Sequence, residues 1–89
     1  MNINETKNTY EFLKDEVVVG RILYQPMSYG IEIAQVWTNP DFRGQGLASQ
    51  FMLEITNILK DRNQKCTATC SYAIQWFEKH PEQGDVLFQ

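Results

Sequence analysis

The most constraining feature of this 89-residue sequence is a glycine-rich turn that joins an apolar, strand-like segment to an amphipathic helix. Residues 31–38 have strand character, and residues 41–48 read Asp-Phe-Arg-Gly-Gln-Gly-Leu-Ala. Apolar residues then recur at helical spacing, which predicts a helix over 46–62. The first amides of a helix have no partner within it and lie at its positive end. The junction therefore predicts an anion site, most often for phosphate.

Two familiar phosphate-binding patterns do not fit this turn. The dinucleotide fingerprint requires a third glycine where Ser49 stands, and the Walker motif requires a lysine at the start of the helix. The glycine pair alone is a weak signal, because many tight turns contain one. What remains is the pattern Arg43-x-x-Gly46-x-Ala48.

This remaining pattern resembles the acetyl-CoA-binding motif of the GNAT superfamily of N-acetyltransferases, written Gln/Arg-x-x-Gly-x-Gly/Ala. The Asn-Pro-Asp-Phe segment at 39–42 is similar to the usual lead-in to that motif. Cys-Ser-Tyr at 70–72 and Phe-Glu-Lys-His-Pro-Glu at 77–82 resemble a subgroup of very short, single-domain members. The matches together span residues 31–88, about two thirds of the chain.

The resemblance implies that acetyl-CoA binds with its diphosphate on the amides of the turn and its pantetheine arm between two splayed strands. The residues it places at the cofactor are Trp37, Thr38, Arg43, Gly44, Gln45, Gly46, Leu47, Ala48, Ser49 and Cys70. For Trp37, packing in the core is an alternative role. The acceptor is an unidentified amine, on a small molecule or a protein.

Hydrophobic periodicity predicts an α+β fold in a single domain over 1–89, with residues 1–8 frayed. Strands are expected over 9–13, 17–24, 31–38 and 65–71, and a short helix over 73–79. The result is a mostly antiparallel mixed sheet of about four strands, one long helix and one short C-terminal helix, similar to a minimal GNAT fold. The helical crossover makes the last two strands parallel. Strict alternation places Ile31, Ile33, Gln35 and Trp37 on one face.

Composition excludes several classes of function. The net charge of −3 and the scattered basic residues do not support binding to nucleic acid or to an anionic membrane. No apolar run reaches a membrane span, and no signal-peptide pattern is present, so a cytoplasmic protein is expected. Cys66 and Cys70 on one strand would lie about 13 Å apart, too far for a disulfide. No metal is expected, and an open sheet edge allows a monomer or a weak dimer.

Two residues are candidates for catalysis. Cys70 matches the catalytic cysteine of the short subgroup, as a nucleophile or a proton carrier, although a buried strand cysteine is an equal alternative. Tyr72 falls near the tyrosine that donates a proton to the leaving thiolate in many GNAT enzymes, with packing as its alternative role. Cys66 is expected to pack in the core, and His80 to cap the last helix.

Gln35 is the main departure from the subgroup, in which a histidine often stands at this position of the third predicted strand. Glutamine cannot act as a base, and Glu32 is expected on the opposite face. The sequence therefore predicts an acetyl-CoA-dependent N-acetyltransferase and leaves two alternatives open. One is a non-catalytic CoA-binding or interaction module, and the other is a thiol-reactive protein that uses Cys70 without acetyl chemistry.

Overall fold

Five strands form one mixed sheet in the computed structural model, which describes residues 1–89, and their order in the sheet is their order in the chain. The strands are β1 (Asn2–Glu5), β2 (Thr9–Lys14), β3 (Val17–Met27), β4 (Gly30–Thr38) and β5 (Lys65–Ala68). The helices are α1 (Leu47–Asp61) and α2 (Ser71–Lys79), with short 3₁₀ turns over Pro40–Phe42 and Pro81–Val86. The first four strands pair antiparallel, and β4 and β5 pair parallel. The predicted α+β class and the parallel crossover are confirmed, with five strands instead of about four.

The prediction that residues 1–8 are frayed is wrong for 2–5, which form β1 against β2. Glu5 anchors this strand to the far end of α1, because the Arg62 guanidinium donates to both Glu5 carboxylate oxygens at 2.8 and 2.7 Å. The Tyr10 hydroxyl donates to the same carboxylate at 3.4 Å. These partners stand 57 and 5 residues further along the chain, so the local polarity of the segment gives no sign of them.

The Glu5–Arg62 pair predicts a measurable pH dependence of stability. Arg62, chiefly through its hydrogen bonds, holds the pKa of the Glu5 carboxyl below its usual value. A depressed folded-state pKa stabilises the fold above the unfolded pKa of about 4.5, and that stabilisation is lost as the pH falls further. Glu5→Gln should therefore lower the free energy of unfolding by up to about 1 kcal/mol at neutral pH, because both side chains are partly exposed.

Urea unfolding at neutral and at strongly acidic pH measures this difference. The difference in the free energy of unfolding between the wild type and Glu5→Gln should be smaller at acidic pH. Glu16→Gln is the matched control, since Glu16 is exposed and forms no ion pair. An equal loss of stability at both pH values would assign the role of Glu5 to packing.

The core lies between the sheet and α1. Buried side chains of α1 recur along one stripe, as the periodicity predicts: Leu47, Phe51, Met52, Ile55, Thr56 and Leu59. The Phe51 ring stacks on Phe12 of β2, with ring centroids 4.3 Å apart. At the C-terminal end of the chain, Val86 is buried in the same core. No helix is both long and apolar enough to cross a membrane.

A bulge in β4 overturns the predicted face assignment. Leu23 of β3 pairs with Gln35, whereas the next residue, Tyr24, pairs with Ile33, so Ala34 is an extra residue on β4. An extra residue exchanges the two faces of the strand beyond it. Ile33 is accordingly buried on the helix side, while Gln35 beyond the bulge is exposed on the opposite face.

The strands β4 and β5 separate after four paired residues. The last pair is Ile33 with Ala68, and the predicted extension of β5 to residue 71 is wrong. The Ile33 carbonyl accepts from both the Thr69 and the Cys70 amides, at 2.9 and 3.3 Å, and the chain then turns into α2 at residue 71. Residues 34–38 of β4 therefore have no strand partner on this edge, which opens the gap that the resemblance implies.

Candidate active site

The glycine turn ends in an open, left-handed helix cap. Gly44 and Gly46 have positive φ angles of 82° and 71°, which glycine adopts without strain. Gly46 is the residue before α1, and the amides of 47–49 have no acceptor within the helix. Asn39 holds the start of the turn, since its side chain accepts from the Asp41 amide and donates to the Val18 carbonyl, both at 3.0 Å. The loop is therefore fixed to β3 while its amides remain free.

A cleft of about 380 Å³ lies in front of these amides. The predicted cofactor residues that line it are Thr38, Arg43, Gly44, Gly46, Leu47, Ala48 and Ser49. Trp37, Gln45 and Cys70 do not line it. Val36, Phe42 and Tyr72 complete the wall. Sequence reasoning missed Val36, because the bulge at Ala34 was needed to turn it toward α1, and it named Phe42 only as part of the lead-in.

Ser49 connects the cleft to α2. Its hydroxyl oxygen accepts a hydrogen bond of 2.8 Å from the indole Nε1 of Trp76, which is buried. Because the oxygen accepts this bond, the Ser49 hydroxyl proton remains available to a ligand in the cleft. The contact also holds the two helices that border the gap at a fixed separation.

Tyr72 and Cys70 stand together at the start of α2. Cys70 is the residue before the helix and is partly buried against the core. The Tyr72 side chain is 37% exposed and faces the cleft. Burial raises the pKa of the Tyr72 phenol, with a smaller electrostatic contribution from the nearby Cys70. The phenol is therefore held in its protonated form at neutral pH.

A second pocket lies on the opposite face of the sheet, which no helix covers. It has a volume of about 450 Å³. Its lining residues come from the β1–β2 turn and three strands: Thr6, Thr9, Glu11, Arg21, Leu23, Gln35 and Trp37. We call this set the open-face pocket. Both Gln35 and Trp37 point into it, away from the cleft.

His80 and Cys66, which the sequence also singles out, have structural roles. His80 ends α2 and donates from Nδ1 to the Trp76 carbonyl at 2.8 Å, as expected for a cap. Its ring also stacks on the Trp76 indole. Cys66 is fully buried, and burial raises the pKa of its thiol to about 12. No group of three His, Cys, Asp or Glu side chains lies close enough together to hold a metal ion.

Comparisons with known proteins identify the family. The model of the GCN5-related N-acetyltransferase family matches residues 9–86. The fold is similar to the NMR solution structure of a GCN5-like protein from Staphylococcus aureus, with a TM-score of 0.73 and 21% identity, over 98% of this chain and 87% of that one. A search of curated proteins found no significant match. Because the family match spans nearly the whole sequence, this chain belongs to the GCN5-related N-acetyltransferases.

Proposed function

We propose that this protein is an acetyl-CoA-dependent N-acetyltransferase whose acceptor is an amine. The proposal rests on two features that lie side by side in one cleft. The free amides of the glycine turn lie at one end, and the gap between β4 and α2 lies beside them. An anionic diphosphate and an extended arm can bind there together.

The amides of 47–49 and the positive end of α1 would hold the CoA diphosphate. Each hydrogen bond to a charged group contributes about 1.5–3 kcal/mol, so two or three such bonds anchor the cofactor. The Ser49 hydroxyl adds a further donor, and Arg43 at the rim adds positive charge. The pantetheine arm would extend along residues 34–38, where the edge of β4 has no strand partner.

Transfer requires two proton movements around the thioester. The neutral amine nitrogen attacks the acetyl carbonyl, the C–N bond forms, and the C–S bond breaks as the electron pair leaves on the CoA sulfur. The nitrogen loses a proton to water, the sulfur gains one from Tyr72, and the resulting tyrosinate takes a proton back from water before the next turnover. A tyrosine phenol is protonated at neutral pH, so Tyr72 carries a proton that it can donate when the thiolate forms.

Tyr72→Phe tests this role. The substitution removes the hydroxyl and leaves the ring, so kcat should fall by roughly 100-fold, in the range of general acid catalysis. The dissociation constant of CoA should change by less than about threefold, because no diphosphate contact is removed. Tyr29→Phe is the matched control, since its hydroxyl contacts Thr67 on the far side of the sheet. An unchanged kcat would leave Tyr72 as a wall of the cleft only.

Two roles are open for Cys70, nucleophile and proton carrier, and intact mass spectrometry distinguishes them. As a nucleophile, its thiolate attacks the acetyl carbonyl, expels CoA thiolate and later passes the acetyl group to the amine. Intact mass after incubation with acetyl-CoA should then show one added acetyl group, absent in Cys70→Ala. On this route Cys70→Ala should abolish turnover and leave CoA affinity nearly unchanged, whereas direct attack by the amine does not require the thiol. Unchanged turnover would remove Cys70 from the mechanism.

One observation favours the alternative of a CoA-binding module without activity. The cleft contains no histidine or carboxylate, and Gln35, at the position of the expected base, points to the opposite face. Release of free CoA from acetyl-CoA across a panel of amines distinguishes the two functions. Release above the rate without amine supports the transferase. Calorimetric binding of CoA without any release supports the module.

A further inference from the structure

We propose that the acceptor amine also carries a carboxylate, which Arg21 binds in the open-face pocket. The acceptor would then be a small amino acid rather than a polyamine or a lysine side chain of a protein. This inference rests on the proposed function and assigns its substrate class. It derives from how the Arg21 guanidinium is held and from where the pocket lies.

Other side chains hold the Arg21 guanidinium at its Nε and at one face, and leave its terminal nitrogens free. Its Nε donates to Glu11 Oε2 at 3.0 Å, and its guanidinium carbon lies 5.1 Å from the centre of the Trp37 ring. The two terminal nitrogens make no hydrogen bond to the protein, and the side chain is 41% exposed. A guanidinium oriented by its Nε and by an aromatic face presents the other edge as a fork, which matches the two oxygens of a carboxylate.

The pocket lies directly behind the cofactor cleft. Along β4, the side chains of Val36 and Thr38 line the cleft, and those of Gln35 and Trp37 line the open-face pocket. This is also the stretch whose edge is free because β5 has ended. In this proposal an acetyl group that reaches through the gap would emerge on the side of Gln35, whose amide oxygen would accept a hydrogen bond from the attacking nitrogen.

The charges of the pocket argue against a polycationic acceptor. Glu11 is the only carboxylate among the lining residues, and Arg21 already occupies it. A second ammonium group would find no free anion there, whereas a carboxylate finds the free fork. The volume of about 450 Å³ is suited to a small molecule.

The test uses amines that differ only in the carboxylate: phenylalanine against 2-phenylethylamine, and lysine against 1,5-diaminopentane. Release of CoA from acetyl-CoA is measured with each. We expect kcat/KM to be roughly 10- to 100-fold higher for the amino acid of each pair, mainly through a lower KM. Arg21→Gln should remove this preference, and Arg21→Lys should restore only part of it, since lysine keeps the charge without the fork. Lys14→Gln, at an exposed position on β2, should keep the full preference.

Equal rates within each pair would overturn the inference while leaving the transferase function intact. A direct titration provides a second test that does not depend on turnover. Millimolar phenylalanine should shift the Trp37 indole NMR signal of the wild type, and 2-phenylethylamine should not; the signal is assigned with Trp37→Phe. No shift with phenylalanine would overturn the inference. Failure of CoA to bind in calorimetry would instead overturn the proposed function.

Discussion

Replacing Gly46 by aspartate is expected to weaken CoA binding by at least roughly 100-fold, the equivalent of one or two charged hydrogen bonds of 1.5–3 kcal/mol. The new carboxylate would sit at the amides of 47–49 and repel the diphosphate from the positive end of α1. The fold should tolerate the change. A Cβ at Gly46 meets no atom within 4 Å, and the strain that its positive φ imposes on any side chain is smaller for aspartate, which adopts the left-handed conformation more often than most residues.

Isothermal titration of CoA into the wild type and the variant measures this loss, with thermal unfolding as the check on the fold. Gly46→Asn has almost the same shape without the charge, so it should lose much less affinity than Gly46→Asp. Gly84→Asp adds the same carboxylate at another open position, in the 3₁₀ turn after α2, and should bind CoA normally. Equal affinities of wild type and Gly46→Asp would show that the diphosphate does not bind at this turn.

The strand, turn and helix around Gly46 could be predicted because all of their determinants are local. The two glycines, the helical stripe that begins at Leu47 and the lead-in at 39–42 stand together in the sequence. Seven of the ten predicted cofactor residues line the cleft for the same reason. The side chains come from one continuous segment, so placing the segment places them as well.

The bulge at Ala34 could not be predicted, and it decides which side chains of β4 face the cleft. Alternation assigns faces correctly only while each residue of a strand has one partner. Nothing in Ile-Glu-Ile-Ala-Gln-Val marks the extra residue, because the bulge is defined by the pairing with β3. Its consequence is functional, since it turns Gln35 and Trp37 away from the cleft and toward the open-face pocket.

Long-range contacts account for the other differences between the predicted and the observed structure. β1 is held by its pairing with β2 and by the pair between Glu5 and Arg62, and β5 ends early where the Ile33 carbonyl accepts from two amides. Neither contact has a signature in its own segment. The beginning of α2 at residue 71 in turn brings Tyr72 to the cleft, whereas the family resemblance placed it only near the position of the proton-donating tyrosine.

Phe51→Ala is expected to cause the largest loss of stability of any single substitution proposed for this domain. The Phe51 side chain is fully buried, stacks on Phe12 and lies over Gly20, where a Cβ would collide with its ring. Removing a buried phenylalanine costs about 3–5 kcal/mol, from lost burial and from the cavity left behind. In a domain of this size, each kcal/mol of lost stability lowers the midpoint of thermal unfolding by roughly 4–8 °C. The midpoint of Phe51→Ala should therefore fall by at least about 12 °C.

Circular dichroism melts of Phe51→Ala and Leu53→Ala test this prediction within one helix. Leu53 is 40% exposed, so its truncation should cost less than about 1 kcal/mol. The same core contact supports the proposed anion site, because Phe51 stands one turn after Leu47 and holds the N-terminal end of α1 against the sheet. Phe51→Ala should therefore also weaken CoA binding at temperatures where it remains folded, whereas Leu53→Ala should not. Similar melting midpoints for the two variants would show that the sheet does not depend on this ring.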